Sequence, residues 1–291
     1  EDKNGELLSA TIANDGQWRF PPSDSIPYKF RTAIRLFEDE YFNYHPGVNP
    51  LSLLRAFRQN WQSAKVKSGG STITMQLIRI SRRKQRTYWQ KIIELILALK
   101  IELKYSKKEI FSLYTANAPF GGNVVGLEAA SWRYYGRYPH LLSWAEAATL
   151  AVLPNAPSLI YPGKNQIKLL KKRNFLLKKL YSKNYIDKTQ YDLAIEEPLP
   201  QRPLRLPQNA NHLLQFLSVS GNKGKRIVST VKRELQLKVN EIGEQYYKQY
   251  SHEQIDNLAI LVLDVKNGEV LAYVGNSICP SKNCGGKVDL I

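Results

Sequence analysis

The sequence predicts a mainly α-helical domain, followed by a linker and the start of a β-containing segment. Three observations lead there. From Arg31 to about Tyr185 the apolar residues recur at helical spacing. Residues 196–210 hold four prolines, Pro198, Pro200, Pro203 and Pro207, which suits a linker. After Ile227 the pattern changes. Leu258 to Leu263 and Val270 to Val274 are rich in β-forming residues and flank Lys266-Asn267-Gly268, and Asn-Gly between such runs is a strong hairpin signal.

The elements follow in order. Residues 1–30 are rich in Gly, Asn, Asp and Pro, with short apolar pieces such as Leu7-Leu8, and read as a hairpin or an extended lead-in. Ala33, Leu36 and Phe37 lead into a first helix. Asn49-Pro50 starts a second, Pro being suited to a first helical turn. Its apolar positions Leu53, Leu54, Phe57 and Trp61 form a stripe, flanked by Arg55, Arg58 and Lys65. Such a helix can lie in a membrane interface, or the stripe can pack into a core. Gly69-Gly70 opens a loop. A long helix is expected from about Tyr88 to Lys104. Ser106 with Glu109 makes a capping box for the next helix, which continues to Tyr114. Further helices fit 141–153, 165–182 and 187–195. The predicted division is therefore a lead-in at 1–30, a helical domain at 31–195, a linker at 196–226 and a further segment at 227–291.

The chain has 291 residues, 43% hydrophobic and 23% charged, which is an ordinary globular composition for one large domain or two smaller ones. The net charge is +17 and uneven. Between Lys65 and Lys108 there are 12 basic residues against Glu94 and Glu102, and between Lys164 and Lys183 eight basic residues and no acid. Such stretches attract nucleic acid, anionic headgroups or a phosphorylated substrate, and charge alone does not choose among these. Cys279 and Cys284 fit either a small disulfide loop or two free thiols, and lack the neighbouring ligands of a zinc site. No apolar run is long enough to span a bilayer. The chain opens without Met and stops inside a strand-like pattern, so both ends read as boundaries within a longer protein.

Four stretches carry candidate chemistry. Glu38-Asp39-x-x-Phe42-x-x-His45-x-Gly47 puts two carboxylates at a helix end, where mutual repulsion favours acid or base work, although a solvated acidic terminus gives the same pattern. In Ser68-Gly69-Gly70-Ser71-Thr72-Ile73-Thr74-Met75-Gln76-Leu77, small residues admit a ligand and hydroxyls offer donors; a loop with a helix cap is the alternative. Arg79, Arg82, Arg83, Lys84 and Arg86 follow, and arginine forks suit a pyrophosphate. Glu94 sits among apolar residues of a helix, should be partly buried, and needs a cationic or hydrogen-bonding partner. Asn117-Ala118-Pro119-Phe120-Gly121-Gly122-Asn123 is a glycine-rich loop without the Lys-Ser/Thr ending of a phosphate-binding loop.

In this order and at these spacings the four stretches resemble family 51 glycosyltransferases, the peptidoglycan glycosyltransferase module of class A penicillin-binding proteins. Ser106-Lys107-Lys108-Glu109-Ile110, ending at Tyr114 and Asn117, matches that family's Ser-Lys-x-Glu-Ile to Tyr-x-x-Asn segment. The stretch from Ala118 to Asn123 is similar to the 1C type. The resemblance covers about residues 15–195 and continues more weakly into Leu258–Gly275. There are departures: Met75 stands for the first Gln of a pair, Arg79 for a Lys, and Gln90 for the Arg of an Arg-Lys-x-x-Glu helix, leaving Lys91.

The resemblance implies a lysozyme-like helical glycosyltransferase domain, then a linker and a partial α/β transpeptidase segment. It implies polymerisation of lipid II into glycan strands by inverting transfer, with undecaprenyl pyrophosphate released. Glu38 and Glu94 would be catalytic, Glu38 as general base and Glu94 orienting cations or holding a divalent metal, magnesium or manganese. Asp39, His45, Gly70, Ser71, Thr72, Gln76, Arg79, Arg86, Lys91 and Asn117 would bind substrate. The partners would be lipid II, the growing lipid-linked chain, the membrane surface and other cell-wall synthesis proteins, with no nucleic acid. The location would be the periplasmic side of the cytoplasmic membrane, with an anchor outside this sequence.

Three other readings compete. A lysozyme-like or lytic enzyme also uses carboxylates, but has no pyrophosphate for the arginines to neutralise. A nucleic-acid binder would not thread its basic residues through carboxylate and glycine motifs. A β-lactam-binding transpeptidase needs an acylating Ser-x-x-Lys at a helix start. Ser220-Gly221-Asn222-Lys223 has that spacing only in a Gly-rich segment, and Lys67-Ser68-Gly69 belongs to the second motif.

Overall fold

A computed structural model of the chain describes residues 1–22, 25–55, 70–82, 84, 87–276 and 288–291. They form two compact units, one from Ala13–Leu204 and one joining Glu1–Ile12 to Arg205–Ile291.

The first unit is helical: α1 (Tyr28–Glu38), α2 (Ile73–Arg82), α3 (Tyr88–Glu102), α4 (Lys107–Asn117), α5 (Leu127–Tyr135), α6 (Trp144–Val152), α7 (Gln166–Ser182) and α8 (Lys188–Glu196). Residues 50–55 are helical as well. The mainly α class expected from the apolar spacing is what the structure has. At the centre lies α6, buried from Ala145 to Val152. Its four alanines let α1 and α7 pack closely against it. The inner face of α1 is Phe30, Ala33, Ile34 and Leu36, and this packing fixes where the helix ends, at Glu38. Ser106 and Glu109 form the expected capping box at α4, and Ser143 with Glu146 forms another at α6.

The third helix rests on Gly47. That glycine has φ +82°, and a Cβ there would lie 2.6 Å from the carbonyl oxygen of Ala98. The opposite face of α3 is apolar and exposed. Trp89, Ile92, Ile96, Leu99 and Leu103 follow one another at helical spacing, with exposures between 45% at Leu99 and 88% at Leu103.

The second unit contains α9 (Asn211–Leu217), α10 (Arg233–Tyr250) and the antiparallel strands β1 (Ile260–Leu263) and β2 (Val270–Val274). The predicted hairpin is present, with Gly268 at φ +72° in its turn. Buried Gln236 joins helix to sheet: its Nε2 donates to the Tyr273 carbonyl at 3.0 Å and its Oε1 accepts the Tyr273 N–H at 2.8 Å.

Two boundaries differ from the sequence reading. Residues 1–12 are not a lead-in to the helical domain. The Glu1 backbone nitrogen donates to the Ile227 carbonyl, the Lys3 N–H to the Val231 carbonyl, and Leu8 packs with Ala210 and Val231. An extended strip must pair its backbone groups, and here they find partners far along the chain. The span 196–226 is divided. Leu204 is tied to α5 through its N–H on the Arg133 carbonyl, whereas 211–217 is helix and belongs to the second unit. Prolines mark an interruption of helix without saying which side the strand packs on. Phe57, Arg58, Trp61, Lys65, Lys67 and Ser68, as well as Cys279 and Cys284, lie outside the described residues.

Candidate active site

A cleft of about 840 Å³ opens in the helical unit, walled by Glu38, Ser71, Gln76, Arg79 and Asn117 among others. These belong to three of the four stretches singled out from the sequence. Glu38 closes α1, and its side chain is half-buried at the cleft wall. The Gln76 Nε2 donates to Glu38 Oε2 at 2.6 Å, and the buried Tyr114 hydroxyl donates to Gln76 Oε1 at 3.2 Å. Glu38 Oε1 has no hydrogen-bond partner among the described residues.

Burial pushes the Glu38 carboxyl above the ordinary carboxylate range. The Gln76 hydrogen bond and the charges of Lys172 and Arg79 pull it back, and the neighbouring Asp39 adds to the rise. Complete burial lifts the Tyr114 phenol well above its usual value, so it acts as a neutral donor. A carboxylate in a cleft wall, raised by burial and with one buried oxygen unpartnered, is equipped to take a proton from a ligand.

Asp39 points elsewhere. Its carboxylate takes the His45 Nε2 at 3.0 and 3.1 Å and the Ile73 N–H at 3.1 Å, which caps α2. Thr72 caps the same helix through the Met75 N–H and donates to the Gly47 carbonyl at 2.5 Å. Gly70 lies where a Cβ would meet the Leu53 Cα and the Ser52 carbonyl at 3.0 Å. The sequence grouped Asp39, His45, Gly70 and Thr72 with substrate contacts; in the structure Asp39, His45 and Thr72 lock the first two motifs together, and Gly70 packs on Ser52 and Leu53. Asp39, Gly70 and Thr72 also border a hollow of about 110 Å³ that shares Glu38 and Ser71 with the main cleft.

Arg79 lines the cleft, while Arg86 lies outside the described residues. Asn117 lines it too, its Nδ2 spent on the Leu113 carbonyl at 2.9 Å. Lys91 and Glu94 are on α3 and do not wall the cleft. Glu94 is buried, as its apolar setting predicted. It shares a face with Ala98 and Ile101, and Ile101 does reach the cleft, roughly 10 Å along the helix from Glu94. Among the described residues no group of three His, Cys, Asp or Glu side chains is placed to hold a metal ion.

Some residues that line the cleft or act on Glu38 were not foreseen. Lys172 of α7 donates to Asn155 Oδ1 at 2.7 Å and acts on Glu38 by its charge. The basic run 164–183 was visible, but nothing local marks this lysine. Gln17 and Arg19 join the wall because the strip around them is pinned by Trp18, whose N–H meets the Asn123 carbonyl at 2.7 Å. Only that long-range pairing reveals them. Tyr114 was seen as part of a motif, and its bond to Gln76 required coordinates.

Comparison with known proteins gives a consistent result. A family described as "Transglycosylase" matches residues 4–181. Penicillin-binding protein 1C of Escherichia coli is 35% identical over 278 residues, covering 95% of this chain and 36% of that protein. A protein of Cupriavidus necator named as a transglycosylase is 34% identical over 186 residues, 63% of this chain and 79% of its own length. A crystal structure of penicillin-binding protein 1A from Haemophilus influenzae aligns with 92% of this chain and 36% of its own, at 16% identity and a TM-score of 0.40. The chain thus spans about a third of the penicillin-binding protein 1C that it matches.

Proposed function

The chain belongs to the transglycosylase family, and from that premise we propose that it polymerises lipid II into peptidoglycan glycan strands. The observation that carries this is Glu38, raised by burial and with one buried oxygen unpartnered, in the wall of a cleft that Arg79 also lines.

In the proposed reaction the 4-hydroxyl of the acceptor sugar gives its proton to Glu38 Oε1. The oxygen then attacks the anomeric carbon of the lipid-linked chain. A carbon–oxygen bond forms on one face while the bond to undecaprenyl pyrophosphate breaks on the other, so the centre inverts. Negative charge builds on the departing pyrophosphate, which Arg79 is suited to offset, with Arg86 of the same motif as a second cation. Ser71 and Asn117 would bind sugar. Glu94 would act from α3 by orienting cations. If a magnesium or manganese ion takes part, Glu94 would be the residue to hold it, and the ion would supply positive charge to offset the pyrophosphate.

Hydrolysis by a pair of carboxylates fits less well. Glu38 is the one acid that walls the main cleft among the described residues, since Asp39 is turned inward to cap α2. A two-carboxylate glycosidase needs a second acid flanking the bond.

No described helix is long and apolar enough to cross a membrane. The exposed stripe of α3 supports contact with a membrane surface instead, and Lys91, Lys100 and Lys104 lie on the same stretch of chain. A polyprenyl-linked substrate stays in the bilayer, so the cleft must reach the headgroup plane on the periplasmic side. The test of the whole reading is incubation with labelled lipid II and separation of the products by length, comparing the wild type with Glu38→Gln.

A further inference from the structure

We propose that Tyr114 is a positioning residue for Glu38, acting through Gln76. This rests on the reading of Glu38 as the general base.

The chain of contacts has a direction. A phenol hydroxyl can donate only to the oxygen of an amide, because the amide NH₂ has no lone pair to offer. The Tyr114 hydroxyl lies 3.2 Å from Gln76 Oε1, which leaves the Gln76 NH₂ to face Glu38 Oε2 at 2.6 Å. All three partners are removed from bulk water: Tyr114 is fully buried, Gln76 nearly so, and Glu38 half-buried with Oε1 enclosed. Water therefore cannot readily replace a lost bond.

The alternative state shows what Tyr114 contributes. If the Gln76 amide turned over, its oxygen would face Glu38. That arrangement is repulsive with a carboxylate and favourable only with a protonated carboxyl. Tyr114 disfavours it, since its oxygen could then only accept from the NH₂ group and its buried O–H would lose the acceptor it now has. The phenol thus selects the amide orientation that favours an ionised Glu38 and fixes its Oε2, leaving Oε1 without a partner. The other charged groups facing Glu38 are Asp39 beside it, Arg79 of α2 and Lys172 of α7, and the test leaves them in place.

The experiment titrates the Glu38 carboxyl by ¹³C NMR on the whole chain, with Glu38→Gln identifying its signal, and measures lipid II turnover against pH. In Tyr114→Phe we expect the Glu38 midpoint and the acid limb of the rate profile to rise together by roughly one pH unit. Below that limb, turnover falls on the order of tenfold, since one unit is a tenfold change in the ionised fraction. Gln76→Met should give the same shift, and the double variant no more than either. A Tyr114→Phe or Gln76→Met protein that folds with the wild-type Glu38 midpoint overturns the proposal, as does a lower melting temperature with no change in midpoint. If the midpoint moves and the rate profile does not, Tyr114 does position Glu38, and the assignment of Glu38 as base is what fails.

Discussion

Asp39 Oδ2 accepts the backbone N–H of Ile73 at 3.1 Å, so the second carboxylate of the first motif caps the helix of the second motif. Adjacent residues therefore have separate tasks: Glu38 faces the cleft and Asp39 holds the scaffold. A buried carboxylate that satisfies a helix N-terminus and a histidine is costly to remove. Asp39→Ala should destabilise the helical unit by about 1–3 kcal/mol. Asp39→Asn, which keeps an acceptor, should lose less. Urea unfolding of the three proteins checks this, and equal midpoints would contradict it.

The exposed stripe on α3 should bind lipid. Flotation with anionic liposomes at low salt should carry the wild type upward, more weakly as salt rises. Ile96→Ser/Leu103→Ser should stay behind while melting near the wild-type temperature, because both side chains are exposed at 60% and 88%. A wild type that remains unbound removes the membrane reading.

Ser220 should not be acylated by penicillin. Its Oγ donates to the Phe216 carbonyl at 2.9 Å, and Gly221 at φ +81° breaks the helix before Lys223. Ser and Lys thus do not share a helical turn as an acylating pair would. Intact-mass analysis after incubation with penicillin reads the result, and an adduct mapped to Ser220 would refute it.

The helical class was legible because α1 and α7 carry plain apolar periodicity, and the Asn267-Gly268 hairpin because its turn chemistry is local. Glu38 was legible by its place in a motif. What the sequence could not separate was Glu38 from Asp39, since two adjacent acids look alike until the end of α1 turns one inward. The same holds for the apolar stripe. Periodicity placed one on the helix after Asn49, where Phe57 and Trp61 lie outside the described residues, and missed the exposed face of α3, because exposure depends on what packs opposite. Residues 1–12 failed for a related reason: an extended strip has no local signal for a partner more than 200 residues away.

Glu38→Gln should not weaken the fold. Burial raises the folded pKa of Glu38 above that of the unfolded chain, so folding favours the protonated form. The stability this group contributes is present below the unfolded pKa and is lost as pH rises through the folded one. A neutral glutamine avoids that loss. At neutral pH Glu38→Gln should therefore melt at or above the wild-type temperature, and calorimetry showing a clear drop would contradict the pKa direction.

The central claim is tested most directly by the rate at which folded Glu38→Gln consumes labelled lipid II. With Glu38 as general base, the wild type makes long glycan products, and the variant loses on the order of 10²–10⁴ in rate while keeping its fold. Wild-type turnover by a folded Glu38→Gln protein would contradict the account.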